Sequence, residues 1–405
     1  MRRIAILACL AHGLCSPAAA APDEELLGKS AGYPIGTRAT WYYSENVRVG
    51  SFSNVEKILP VYTLKHGTPL PLLKAAGEPR IEYRFDQQRF SLDDFLAHQR
   101  VTGVLLIKDG QVLAERYQYD RTAQHRFVSH SMAKSIVSLA IGMAVSEGKI
   151  ASLDDTIAKY VPKLAGNPYG ETTIRNMLRM SSGVPFKEVY DGNDDLAKFA
   201  RLRFTHDSIT ALRAFTEREV EQGTRFHYAS NQTVALTVLI HAATGMTLTE
   251  YLTPRLWQPM GAEQDATWVR NKDGTETGSG SFNATLRDYG RLGILLANDG
   301  EAGGKQIVPK EYLLDATDWR RQPEAFRPKN ATPFFGYGYQ FWLFPSEKRR
   351  FALLGVYGQC IFVDPELKLV MVITAAAKNA SVGKESFARE RNALWRGVIS
   401  QYGSW

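Results

Sequence analysis

From Met132 to Val145 the chain is apolar on nearly every face, and Gly148-Lys149 just beyond supplies a stop signal. A helix of this kind has no face to give to water, so the rest of the chain must enclose it on all sides. A single lysine, Lys134, lies in its first turn, directly after Ser131. Whatever else the chain forms, it is built around a buried central helix with a serine and a lysine at its start.

The flanking segments say what encloses that helix. Val101 to Ile107 and Val112 to Tyr117, separated by Asp109-Gly110, read as a β-hairpin. Near the other end, Tyr339–Phe344, Phe351–Gly355, Gln359–Val363 and Leu369–Ala375 read as strands, with Asp364-Pro365-Glu366 as a turn and a closing helix over about Phe387–Tyr402. Residues from about 150 to 280 alternate polar loops with helical stretches such as Thr172–Met180 and Val234–Ala243, and Asn283–Asp288 reads as the capped start of a helix running to Leu296. The expected fold class is α+β: an antiparallel sheet from both chain ends, flanked by helices, with an inserted mainly helical lobe. Residues 22–90, rich in Tyr, Pro and Gly, form an N-terminal extension with no identifiable chemistry, and residues 91–405 the main domain.

Residues 1–21 read as an export signal. Arg2 and Arg3 precede an apolar run from Ile4 to Leu14, then Ser16, Pro17 and alanines up to Ala21. The run is shorter than the roughly 18 residues of a membrane span, which predicts an exported protein, periplasmic or secreted. Of the three cysteines, Cys9 and Cys15 fall in this signal, so the mature chain would keep Cys360 alone and no internal disulfide. The net charge is +7, from scattered basic residues without a basic stripe, which excludes a nucleic-acid partner. Histidines in H-E-x-x-H spacing are absent, so no metal site and no cofactor are expected.

The chemistry must then come from a nucleophile. G-x-S-x-G does not occur, which argues against a nucleophile elbow, whereas Ser-x-x-Lys occurs at Ser131–Lys134, Ser146–Lys149 and Ser381–Lys384. A lysine one turn after a serine shares its helix face, and burial lowers its pKa until the neutral amine can take the serine proton. The first copy alone places the pair in an apolar helix start, where unpaired backbone amides also stand ready for an oxyanion. Ser146 falls at the exposed helix end, and Ser381 in a polar stretch.

His130-Ser131-Met132-Ala133-Lys134-Ser135 opening a hydrophobic helix, followed in order by the blocks Thr173–Val184, Phe226–Asn231, Leu256–Gly261, Asn283–Asp288, Gly336–Gln340 and Gly355–Gln359, resembles the serine β-lactamase and penicillin-binding-protein superfamily over roughly Ser91 to Trp405. Within it the likeness is to class C β-lactamase-related hydrolases, closest to the 6-aminohexanoate-dimer hydrolases and family VIII carboxylesterases.

The resemblance implies an acyl-enzyme on Ser131, with Lys134 and Tyr228 as acid and base. Ser230 takes the place of the usual Asn in Tyr-x-Asn, since Asn231 is one residue too far on. In place of the family's Lys-Thr-Gly stands Leu353-Leu354-Gly355, so the oxyanion donors would be the backbone N–H groups of Ser131 and Val356, or of Gln359 if the register slips by three. Tyr190, Gly355 and Tyr357 are implied substrate contacts, and Tyr339 and Trp342 candidate pocket walls. With leucines where a carboxylate clamp belongs, small amides or esters fit better than the alternatives, β-lactams or peptidoglycan; a non-catalytic binding relative is the remaining alternative.

Overall fold

The computed structural model describes residues 20–381, 383 and 385–405, so the expected export signal lies outside the described residues apart from Ala20 and Ala21. Its centre is a seven-stranded antiparallel sheet. In chain order the strands are β1 (Val101–Lys108), β2 (Gln111–Tyr117), β3 (Gly336–Tyr337), β4 (Trp342–Leu343), β5 (Phe351–Leu354), β6 (Cys360–Asp364) and β7 (Leu369–Ala375). In space the order is β3-β4-β5-β6-β7-β1-β2, so the two chain ends meet where β7 pairs with β1.

Both faces of this sheet are covered, which is why its inner strands read as continuous apolar runs rather than alternating ones. Leu105, Ile107, Ile361 and Val370 face α3 (Leu286–Ala297) and the helical body, while Val104, Leu106, Phe362 and Met371 face α4 (Phe387–Ser400). Helix α3 lies tight on the sheet: a Cβ at Gly293 would come within 2.3 Å of Val370 Cγ1. Beyond it runs α1 (Ala133–Ser146), buried without interruption from Ala133 to Ala144 and packed against α2 (Ser230–Thr244). No helix among the described residues is long and apolar enough to cross a membrane.

Two expectations are corrected. Asn283–Thr285 belongs to a strand, Phe282–Thr285, in a second sheet with Ala266–Val269, Arg126–Val128 and Val61–Leu64. Helix α3 starts only at Leu286, where the Thr285 hydroxyl accepts the Asp288 N–H at 3.1 Å; the cap was legible, but Phe282 and Asn283 ahead of it pair with Trp268 and Thr267 instead of coiling. The expected strand over Tyr339–Phe344 shrinks to Trp342–Leu343, because Gln340 turns at φ 65° and donates its N–H to Leu178. The N-terminal segment packs on the body. Val61–Leu64 is an edge strand of the second sheet, and Trp41, Tyr42 and Arg48 pack beside His130 and Tyr357.

Candidate active site

Ser131 sits in the tight turn His130–Met132 that leads into α1. His130 before it holds φ 42°, a left-handed conformation costly for a non-glycine residue, and packing over-determines it. Its ring is enclosed by Trp41, Tyr42, Phe52 and Tyr357. Burial, aided by the nearby cations of Arg48 and Lys134, pushes the His130 pKa down to about 3, so the imidazole is neutral and no base for the reaction.

One helical turn on, Lys134 Nζ lies 2.9 Å from Ser131 Oγ and 2.8 Å from the carbonyl oxygen of Ser279. The lysine is 1% exposed. Burial drops its pKa to about 8, with the Glu188 carboxylate opposing the shift. Tyr228, just ahead of α2, brings its phenol against Ser131 and its ring under the lysine, with Nζ 5.0 Å from the ring centroid. Burial first and Glu188 second push the Tyr228 pKa far up, so it stays a protonated phenol. Trp342 on β4 stacks on Tyr228 at 5.5 Å between centroids.

The structure also places the third segment. Gly355 ends β5 hard against the chain before the serine: a Cβ there would lie 2.3 Å from the Ser129 carbonyl oxygen and 3.2 Å from His130 Cβ. Only glycine allows that approach. Val356 follows as the first residue of the turn Val356–Gly358, and the Gln359 side chain clamps that turn, donating to the Ala375 carbonyl at 2.7 Å and accepting the Ala375 N–H at 3.0 Å. Tyr357, at φ 59°, is buried between Arg48, Phe52 and His130. Leu353 is fully buried, and Leu354 is the strand residue with a partly open side chain.

Tyr190 is held at φ 64° by its own loop, where the Asp194 carboxylate accepts the N–H groups of Val189 and Tyr190, each at 2.7 Å, and caps the next helix through Ala197. Its hydroxyl donates to Glu188 at 2.8 Å. Glu188 also accepts the N–H and hydroxyl of Ser230, each at 2.8 Å. Asn231 points into the core, where its amide donates to Tyr169. Tyr339 is remote, its hydroxyl accepting from Arg175 at 2.7 Å. Ser146 and Ser381 are exposed, and Cys360 is buried with its thiol pushed up to about 11.

Sequence reasoning missed Glu188, Ser279 and Tyr42. Glu188 is one acid among many in a polar loop, and Ser279 acts through a carbonyl that every residue has. Tyr42 sits in an aperiodic stretch. Nothing local marks any of them.

Residues 91–393 match the Beta-lactamase family model. The 6-aminohexanoate-dimer hydrolase of Paenarthrobacter ureafaciens is 26% identical over 359 residues, covering 85% of this chain and 88% of that protein. A Bacillus anthracis structure assigned as a 6-aminohexanoate-dimer hydrolase superposes with a TM-score of 0.76 at 22% identity, covering 88% of this chain and 94% of the other. A family VIII carboxylesterase structure gives 0.59 at 16% identity, over 75% and 96%. At such identities the two structural matches speak for the fold alone.

Proposed function

The chain belongs to the Beta-lactamase family and is a serine hydrolase of that class, and we propose that it cleaves small amides or esters through an acyl-enzyme on Ser131. The observation that carries this is the Lys134 amine, buried, depressed to about 8 and 2.9 Å from Ser131 Oγ. Neutral Lys134 takes the Ser131 proton as Oγ attacks the substrate carbonyl. The N–H groups of Ser131 and Val356 hold the oxyanion. Tyr228, a phenol that keeps its proton, donates it to the departing amine or alkoxide and is reprotonated from Lys134. A water then attacks the acyl ester by the reverse relay and frees the carboxylic acid. Tyr190 and Glu188 border the leaving-group side.

Leu353 and Leu354 offer no cation to a substrate carboxylate, which supports neutral acyl groups over penicillins. Residues 1–21 are assigned to export, and the catalytic unit to 91–405, with the lobe at about 150–280. A fluorophosphonate should add once per chain, at Ser131, and Ser131→Ala should abolish ester hydrolysis while keeping the fold. Labelling at Ser146 or Ser381, or activity in Ser131→Ala, refutes the assignment.

A further inference from the structure

Away from the catalytic serine, a cavity of about 870 Å³ opens between α4 and the hairpin Glu82–Phe85/Gln88–Ser91. That volume is in the range of small-molecule sites, roughly 300–1,000 Å³. Its walls are unusual in charge. Arg84 and Arg89 are directly opposed across the hairpin, and neither has an acidic partner among the described residues. Like charges set opposite each other on a hairpin repel and destabilise it.

Arg391, on α4, is the stronger anomaly. It lines the same cavity at 3% exposure, yet among the described residues its guanidinium has no ion pair, its hydrogen-bonding neighbour is the buried Cys360 thiol, and its Nε is buried without a partner. The guanidinium also lies over the Phe362 ring, 5.0 Å from its centroid, and neither neighbour carries a negative charge to balance it. A buried cation is ordinarily paired. Asn392, next to it on the cavity wall, also leaves its Oδ1 unpaired. Glu82, the carboxylate at the rim, is already engaged by Arg80 at 2.8 Å. Phe334 and Phe335 supply an apolar wall.

We propose that this cavity is a binding site for a carboxylate carried on a short apolar body, with the anion between Arg391 and the Arg84–Arg89 pair and the body against Phe334 and Phe335. Such a ligand supplies the missing counter-charge and covers the aromatic wall at once. The site is separate from Ser131 and does not depend on the reaction assigned there.

Octanoate is the probe, titrated calorimetrically into the full chain. One octanoate should bind per chain, and Arg84→Gln/Arg89→Gln, which alters exposed side chains only, should weaken it at least about tenfold. Arg391→Met should weaken it further. Lys134→Met, which alters the catalytic site, should leave it unchanged, and octanol should bind at least about tenfold more weakly. Absence of binding at millimolar octanoate, indifference to the arginine changes, loss in Lys134→Met, or octanol binding as well as octanoate would overturn the proposal. Octyl phosphate binding ten times tighter than octanoate would overturn the carboxylate assignment.

Discussion

Raising the pH from 7 to 9 should raise kcat/KM for a p-nitrophenyl ester about tenfold, because in the proposed mechanism the reactive form of Lys134 is the neutral amine. With its pKa at about 8, roughly one lysine in eleven is neutral at pH 7 and about ten in eleven at pH 9. The sign follows from the cause: burial penalises the ammonium, so neutralisation comes earlier than for a solvated lysine. Glu188 works against that shift. Glu188→Gln should therefore move the midpoint of the profile to lower pH, whatever it does to the maximal rate, and the midpoint is the quantity to read. Lys134→Arg should be inactive throughout, since a guanidinium keeps its proton over this range.

Stability gives a readout independent of turnover. Between pH about 8 and 10.5 the unfolded chain binds the Lys134 proton and the folded chain does not, so this group makes folding more favourable as pH rises through that window. Over the whole window the gain is about 3 kcal/mol at 1.36 kcal/mol per unit. Lys134→Met should remove that part of the slope in urea unfolding series. A flat pH–rate profile, a midpoint near that of a solvated lysine, or a Glu188→Gln midpoint moved upward would refute the reasoning.

Gly355→Ala should cut kcat by about 10- to 100-fold with circular dichroism unchanged, because its Cβ would meet the Ser129 carbonyl oxygen at 2.3 Å and push the Val356 N–H off the oxyanion position proposed for it. Short acyl esters or linear amides should be turned over at least about tenfold more efficiently than nitrocefin, since a missing charge-assisted contact costs about 1.5–3 kcal/mol. Leu354→Lys should narrow that gap in the same substrate panel, whereas Leu353→Lys would bury an unpaired charge in the sheet and lower the yield of folded protein. Arg350→Met should destabilise the fold by about 3–5 kcal/mol in urea titrations, because it strands the Asp364 carboxylate that Arg350 meets at 2.5 Å in the core.

The sequence by itself determined the buried helix, the serine and lysine one turn apart at its start, and the strands contributed by both chain ends. These depend on local periodicity and on spacings within one element, and such patterns survive whatever the rest of the chain does. It also carried the Thr285 cap, though not the strand before it, since pairing with Ala266–Val269 is a contact between distant segments. Only the tertiary structure set Gly355 against the Ser129 carbonyl and turned the Gln359 amide onto Ala375. It alone brought the Ser279 carbonyl to Lys134 and the Glu188 carboxylate near Lys134 and Tyr228, stacked Trp342 on Tyr228, and placed Trp41 and Tyr42 of the extension against His130. The physical reason is common to all of these. A backbone carbonyl, a loop acid or a stray aromatic ring has no periodicity, and what it does is set by the neighbour that folding brings beside it.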